Sequence, residues 1–412
     1  MPYLKKFARL GHAEAGWLSR PETQLVLAAL TAAGFEARVV GGAVRNALMG
    51  LPVADVDIAT TAEPWQIEAA AARAGLRTIP TGIAHGTVTV IAGSQTYEVT
   101  TLRRDIETDG RRARVAFTDD WAADAGRRDF TINALYCAGD GTLFDPVHGL
   151  PDIEARRVRF IGDPVARIRE DFLRILRFFR FSANFGGLPL DADGLSACIR
   201  EREGLRHLSA ERVRAELLKV LVAPQACLIV AVMAETGILG QLTALVPRPG
   251  VFERLAGLED RLSLPVDPIR RLAAIALHGP GDAEGLARRL RLSSAERLSL
   301  ELLEPDHAPA ADMRLTLYRH GRDGLRDRMI LQIARTGAPL DQEVFERIAS
   351  LPVPVFPAAG RDLVTLGLAP GPAVGHLLRE LERDFIASGF ALTREDLLST
   401  AKTAIERAQS RA

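Results

Sequence analysis

A chain of 412 residues that is 47% hydrophobic has the material for roughly two to four domains with sizeable cores. Its 52 basic and 52 acidic residues cancel to zero net charge, which argues against a uniformly basic nucleic-acid binder, so any attraction for phosphates has to be local. No apolar run reaches membrane-spanning length, no apolar stretch follows Lys5 and Lys6, and three dispersed cysteines (Cys137, Cys198, Cys227) suggest neither a disulfide framework nor a metal pairing with histidine; a soluble cytoplasmic protein is expected, with no membrane or protein partner.

Apolar periodicity predicts a helix over residues 22–33, then a strand over 35–40 that ends at Gly41-Gly42. A short helix starts at Ala43. Val56 and Ile58 mark a strand, and residues 65–74 form a helical pattern. Two further strands, 87–92 and 96–102, flank Gly93-Ser94 as a hairpin turn. From Asp152 the strand signals vanish. Val165, Ile168, Phe172, Ile175, Leu176 and Phe179 recur at helical spacing and imply one buried face. Similar patterns occupy 210–222, 229–236, 269–277, 283–290 and 372–385, with Pro/Gly breaks near 247–250, 279–281, 304–309 and 352–360. The expected fold is a mixed α/β domain followed by an all-helical arm.

The chemistry concentrates in residues 41–60. Gly41-Gly42 permits close backbone approach to a ligand, the following helix start suits an anion, and Arg45 in its first turn can reach the same anion. Asp55 and Asp57 are two residues apart, so on a strand their carboxylates face one side. Two converging carboxylates beside a triphosphate are a Mg²⁺ site, with phosphate oxygens completing the shell. Alone, an Asp-x-Asp is more often a solvent-facing strand edge; thirteen residues after a Gly-Gly-helix element, metal binding is the better reading. Glu98, in a later strand, can join them across a sheet as a third carboxylate. His85-Gly86 reads as a turn. Residues 154–180 hold eight arginines against four acids, a local cationic excess in a neutral chain.

Residues 41–60 resemble the signature of the class II nucleotidyltransferases, which include CCA-adding enzymes and bacterial poly(A) polymerases. HGTVTV (85–90) with YEVTTLR (97–103), a loop over 105–121, RRDFTINAL (127–135), REDFLRILRFFRF (169–181) and GRDLVTLGLAPGPAVGHLL (360–378) follow in the family's order. The resemblance implies an α+β nucleotidyltransferase head (1–150), a helical neck that recognises the base (151–222), a helical body (223–335) and a tRNA-binding tail (336–412). It implies template-independent addition of the 3′-terminal CCA to tRNA from CTP and ATP with release of pyrophosphate. Gly42, Arg45 and Arg128 would contact the nucleotide, Asp55 and Asp57 would hold Mg²⁺, and Asp171, Arg174, Arg177 and Arg180 would face base and phosphates from the neck helix. Asn46 stands where the family commonly has Asp, which puts a charge-dependent role there in doubt.

Asp171 and Arg174, three apart on a helix, would be neighbours that accept and donate one hydrogen bond each. Cytosine and adenine both offer an amino donor beside a ring-nitrogen acceptor; uracil and guanine present the reverse. One Asp/Arg pair therefore fits C and A without a template. The segment 103–125, long and rich in Arg, Asp and Gly, is expected to be a mobile loop that reshapes the pocket between C and A addition. The alternatives are a poly(A) polymerase, an enzyme adding only CC or only A, and a helical RNA-binding module with an inactive head. The basic-aromatic stretch typical of the first is missing from 75–90, and the intact Arg45, Asp55 and Asp57 speak against the last.

Overall fold

The computed structural model describes residues 9–11, 15–109, 112–305 and 313–409. Lys5 and Lys6, Gly110 and Arg111 of the 105–121 block, and most of the break near 304–309 lie outside them. Helix α1 (Pro21–Ala32) begins with proline, whose missing N–H costs nothing in a first turn, and buries Val26, Leu27 and Leu30. Strand β1 (Ala37–Val40), helix α2 (Gly42–Leu48), strand β2 (Asp57–Thr60), helix α3 (Pro64–Arg73) and strands β3 (Arg77–Gly82), β4 (Thr87–Ala92) and β5 (Gln95–Thr101) follow. In β4, Val88, Val90 and Ala92 are buried and their neighbours are not, the period-two pattern of a strand with one face on a core.

The next segment departs from expectation. Instead of an irregular loop, strands β6 (Arg103–Asp109) and β7 (Arg112–Phe117) pair as a separate antiparallel hairpin, and helix α4 (Trp121–Gly126) follows, capped by Asp120. Strands β8 (Tyr136–Cys137) and β9 (Leu143–Phe144) complete the main sheet, whose order is β3-β4-β5-β2-β1-β8-β9. Every neighbouring pair in it is antiparallel except β2 with β5.

Beyond helix α5 (Leu150–Glu154) the described residues are helical apart from connections. The apolar pattern over 165–179 suggests one helix, but there are two, α6 (Pro164–Glu170) and α7 (Leu173–Phe185). Asp171, expected on a neck helix, sits in the break with extended backbone and accepts a bond from Leu173 N (3.1 Å). Phe172 folds onto the backbone of Gly204, where an added Cβ would lie 2.0 Å from the ring; only glycine leaves room. Helix α7 buries Ile175, Leu176, Phe178 and Phe179 and packs on α9 (Ala210–Leu221), after α8 (Ala192–Arg200). No helix among the described residues is long and apolar enough to cross a membrane.

The chain forms two compact units: residues 1–249 with 289–291, and residues 250–288 with 292–412. The second contains a buried ion network in which Glu259 accepts from Arg270 (2.7 Å) and Arg271 (2.8 Å). It also holds an apolar cluster around Leu363, Leu381, Phe385 and Leu397.

Candidate active site

Strand register assembles the dispersed motifs. Val40 at the end of β1 lies opposite Asp57 at the start of β2, and Asp57 lies opposite Glu98 of β5. Adjacent strands are about 4.8 Å apart, and opposed residues share a face. The two carboxylates are thus lateral neighbours, and the Gly41-Gly42 turn leaves β1 beside them. Asp55 precedes the strand proper but keeps its alternation: Asp55 and Asp57 are exposed, Val56 and Ile58 buried.

The Asp57 carboxyl is reachable from solvent yet crowded by protein on its other sides. That burial, then the charge of Glu98, pushes its pKa up to about 6, with Arg128 opposing and Asp55 adding to the rise. Among the described residues no three side chains close a metal cage by themselves. The carboxylate edge opens instead toward arginines, where phosphate oxygens can supply the remaining ligands of a hard divalent ion.

Gly41 has φ 73°, and a Cβ there would meet the Asn133 carbonyl at 3.5 Å; its turn starts α2 close against the segment after Arg128. Helix α2 has only seven residues, so guanidinium groups carry most of the attraction for an anion. Arg45 is 8% exposed. It donates to Asn133 Oδ1 (2.5 Å) and, through Nε and Nη2, to Asn46 Oδ1 (3.2 and 2.8 Å), and it stacks 3.9 Å over Phe185. Burial, then Arg180, and also Arg177 lower its pKa to about 10 against the pull of Asp129. It stays charged at neutral pH in surroundings short of negative charge. Asn46 also donates from Nδ2 to Pro52 O (2.9 Å), a bond that a carboxylate could not make. The departure from the family's Asp therefore ties Arg45 to the segment leading to Asp55.

Arg128 is held by Asp124 (2.9 Å). Arg177 donates from Nε to Asp129 (2.7 Å); although burial pushes the other way, Arg177 holds Asp129 below the usual carboxylate range. Gly42, Arg45, Asp57, Arg128, Asp171, Arg174 and Arg177 line one cleft of about 440 Å³, together with Gly41, Asp129, Asn133, Leu173, Phe181 and Arg212. That is large enough for a nucleotide-sized ligand. Glu98 and Asp55 flank Asp57 outside the lining. Arg180 does not line it; its Nε bonds Glu216 of α9 (2.6 Å).

In the expected Asp171–Arg174 neighbour pair, Arg174 N donates to the Asp171 carbonyl (3.0 Å), but the two side chains take other partners. Asp171 pairs with Arg212 (2.6 Å), while Arg174 donates to the carbonyl of Arg167 (2.6 Å) and to Glu170. Sequence reading missed Arg212, Asn133, Asp129 and Asp124. Three of these lie within or just before the RRDFTINAL block; nothing local marks Arg212, 41 residues from Asp171.

Residues 37–159 match the family described as the Poly A polymerase head domain, and residues 187–246 match the probable RNA and SrmB-binding site of polymerase A. The mitochondrial CCA tRNA nucleotidyltransferase 1 of Danio rerio is 35% identical over 378 residues, covering 89% of this chain and 87% of the relative. The chain belongs to the CCA-adding tRNA nucleotidyltransferases. The CCA-adding enzyme of Lacticaseibacillus paracasei is 33% identical over 389 residues, 91% of this chain and 94% of that protein. The crystal structure of the Bacillus stearothermophilus CCA-adding enzyme in complex with CTP aligns with TM-score 0.68 and 27% identity over 95% of this chain and 98% of the other. Membership makes the α/β sheet a nucleotidyltransferase head and the chain an enzyme of nucleotidyl transfer.

Proposed function

We propose that this CCA-adding family member completes the 3′ end of tRNA with C, C and A, using CTP and ATP and no template. The observation that carries the reading is the Val40–Asp57–Glu98 register, which sets a carboxylate edge against an arginine-walled cleft. The names of the relatives supply the substrate: they are CCA-adding enzymes, and one solved neighbour is a complex with CTP.

In this reading Asp55 and Asp57 hold Mg²⁺. Held there, Mg²⁺ would neutralise phosphate charge and make the primer 3′-hydroxyl easier to deprotonate. Glu98, beside Asp57, orients that edge. Arg45 and Arg128 bind the triphosphate, and Gly42 lets the phosphates approach the backbone. The primer oxygen attacks the α-phosphorus, a new P–O bond forms, the hydroxyl proton is released, and pyrophosphate departs with the electrons of the broken bond. Asp171 accepts from the amino group of C or A, and Arg174 donates to the adjacent ring nitrogen. Arg177 and Arg180 set the arginine face of α7, the second from outside the cleft. A cytoplasmic setting accords with Cys137 and Cys198, both buried thiols. The division of the helical arm into neck, body and a tRNA-binding tail belongs to the same proposal.

The deciding experiment incubates the protein with Mg²⁺ and tRNAs lacking CCA, CA or A, supplies each nucleoside triphosphate alone and in combination, and resolves product lengths. The expected products stop at CC with CTP alone and at CCA with both. Long tails from ATP alone would make the protein a poly(A) polymerase, and arrest at CC with both nucleotides would make it a partial enzyme.

A further inference from the structure

Asp124, on α4, is 1% exposed and uses both carboxylate oxygens. Oδ1 accepts from Arg127 Nε (2.9 Å) and Nη2 (2.7 Å) and from the backbone N of Arg103 (3.4 Å), the first residue of β6. Oδ2 accepts from Arg128 Nη2 (2.9 Å) and Nε (3.3 Å) and from the Tyr136 hydroxyl (2.8 Å). Arg127 also donates to the Arg103 carbonyl (3.1 Å). One oxygen therefore faces the base of the β6–β7 hairpin, and the other faces an arginine that lines the nucleotide cleft beside Asp57.

The far end of the hairpin base is fixed as well. Gly86 has φ 78°, and a Cβ there would lie 2.8 Å from the Phe117 ring, while Thr118 N donates to Leu102 O (2.9 Å). The hairpin thus joins the head through a narrow, well-bonded root. Movement of that root displaces Arg103 and Arg127, both bonded to the carboxylate that holds Arg128. A buried carboxylate with two guanidiniums is strongly directional, because each oxygen has fixed partners and none can be lost cheaply.

We propose that Asp124 is a positioning residue that sets Arg128 for the incoming triphosphate and links that setting to the root of the β6–β7 hairpin. The inference rests on the reading of Arg128 as a nucleotide contact. Asp124 touches no substrate; it acts through Arg128. The hairpin side and the nucleotide side share one rigid group, so a change at the hairpin root appears as altered nucleotide affinity.

The test measures KM and kcat for CTP on tRNA lacking CCA and for ATP on tRNA ending in CC, using Asp124→Asn, Arg128→Met and the double variant. In Asp124→Asn one acceptor oxygen becomes an amide donor facing donors. KM for both nucleotides should rise about tenfold with kcat changed only a few-fold. The effect should disappear in the Arg128→Met background, because coupled residues are not additive. Tyr136→Phe, which keeps every charge paired, should raise KM roughly threefold by the same route and decides the matter if Asp124→Asn does not fold. Arg127→Met should raise KM in the wild-type background and not in Asp124→Asn. If Arg128→Met raises KM while Asp124→Asn or Tyr136→Phe is silent, or if the effects simply add, the positioning role is wrong. If only Arg127→Met is silent, the hairpin link is wrong. If Arg128→Met itself leaves KM unchanged, the nucleotide-contact reading fails, and the inference with it.

Discussion

Replacing Asp57 with Asn should destroy activity and yet stabilise the metal-free protein. Asp57 ionises at about 6 rather than 3.8 because burial and the carboxylates of Glu98 and Asp55 disfavour its charge. In the unfolded chain the same group ionises near its ordinary value. Between pH 4 and 6 the unfolded state therefore sheds a proton that the folded state retains, and folding loses stability as pH rises through this window. Fully expressed, the difference is about 3 kcal/mol. The carboxylate is open to solvent, so screening reduces it to about 1 kcal/mol. Asparagine has no charge to lose. Without divalent ions, Asp57→Asn should match the wild type below pH 4 and exceed it by about 1 kcal/mol above pH 6, or roughly 2 °C in the midpoint of the transition that includes the head. Mg²⁺ should stabilise the wild type and not the variant, closing the gap. Nucleotide incorporation at saturating Mg²⁺ should fall by about a thousandfold or more, since an amide neither neutralises nor holds the ion as a carboxylate does. Scanning calorimetry at pH 4, 6 and 8 with and without Mg²⁺, beside single-turnover incorporation, tests both halves. A variant less stable than wild type at pH 8 without metal, or one that retains near-normal incorporation, would refute the carboxylate-crowding account.

Asp171→Ala should weaken discrimination against UTP and GTP by about tenfold to a hundredfold, measured as ratios of kcat/KM, because the acceptor for the amino group is gone; unchanged selectivity means the base is read elsewhere. Arg174→Ala should reduce use of CTP and ATP alike. Shortening residues 106–117 should spare CTP incorporation and arrest products at CC, whereas equal loss of C and A addition would indicate general misfolding of the head. In the second unit, Glu259→Gln leaves Arg270 and Arg271 without their shared carboxylate, though Arg270 keeps Asp327 (2.8 Å). It should cost about 3 kcal/mol in denaturant unfolding of that unit. KM for CTP should not move, and a shift would tie this network to the cleft.

The head was legible because several motifs, each common on its own, occur together and in the order of a known family. A Gly-Gly turn, an alternating Asp pair and a later strand with Glu98 each have a short-range signature, and two pairings join them, β1 with β2 and β2 with β5; the second is the long-range one. That pairing, β2 parallel to β5 across α3, β3 and β4, is a long-range choice that no local pattern states. The break at Asp171 escaped notice for a related reason. Phe172 is apolar and in phase with the helix, so periodicity runs straight through, and the glycine that accommodates it lies 32 residues on at Gly204. The hairpin at 103–117 was hidden by its polar composition, which suggests a loop. Arg212 meets its counter-charge, Asp171, only in the folded chain, and Asp124, with arginines three and four residues on, looks like a solvent-facing helix pair until its burial is seen.

The zero net charge and the proposed RNA chemistry are compatible because the charges are sorted by partner. Asp124 and Asp129 each hold a cleft arginine in place while remaining buried themselves. They fix the geometry of the guanidiniums and offset part of their positive charge in the cleft. Arg45 differs: its bonds go to the neutral amides of Asn133 and Asn46, so its charge is left for an anion. The proposed base readers follow a third arrangement. Asp171 is held by Arg212 and Arg174 by Glu170 and a carbonyl, so an entering base has to compete with partners already satisfied. Cytosine or adenine replaces what is given up with a donor and an acceptor of matching sense. Uracil or guanine breaks the same bonds and leaves two buried polar groups opposed to their own kind. Internal pairing thus lowers affinity for every nucleotide alike, and discrimination comes from the base edge, whose donor and acceptor match the proposed readers only in cytosine and adenine.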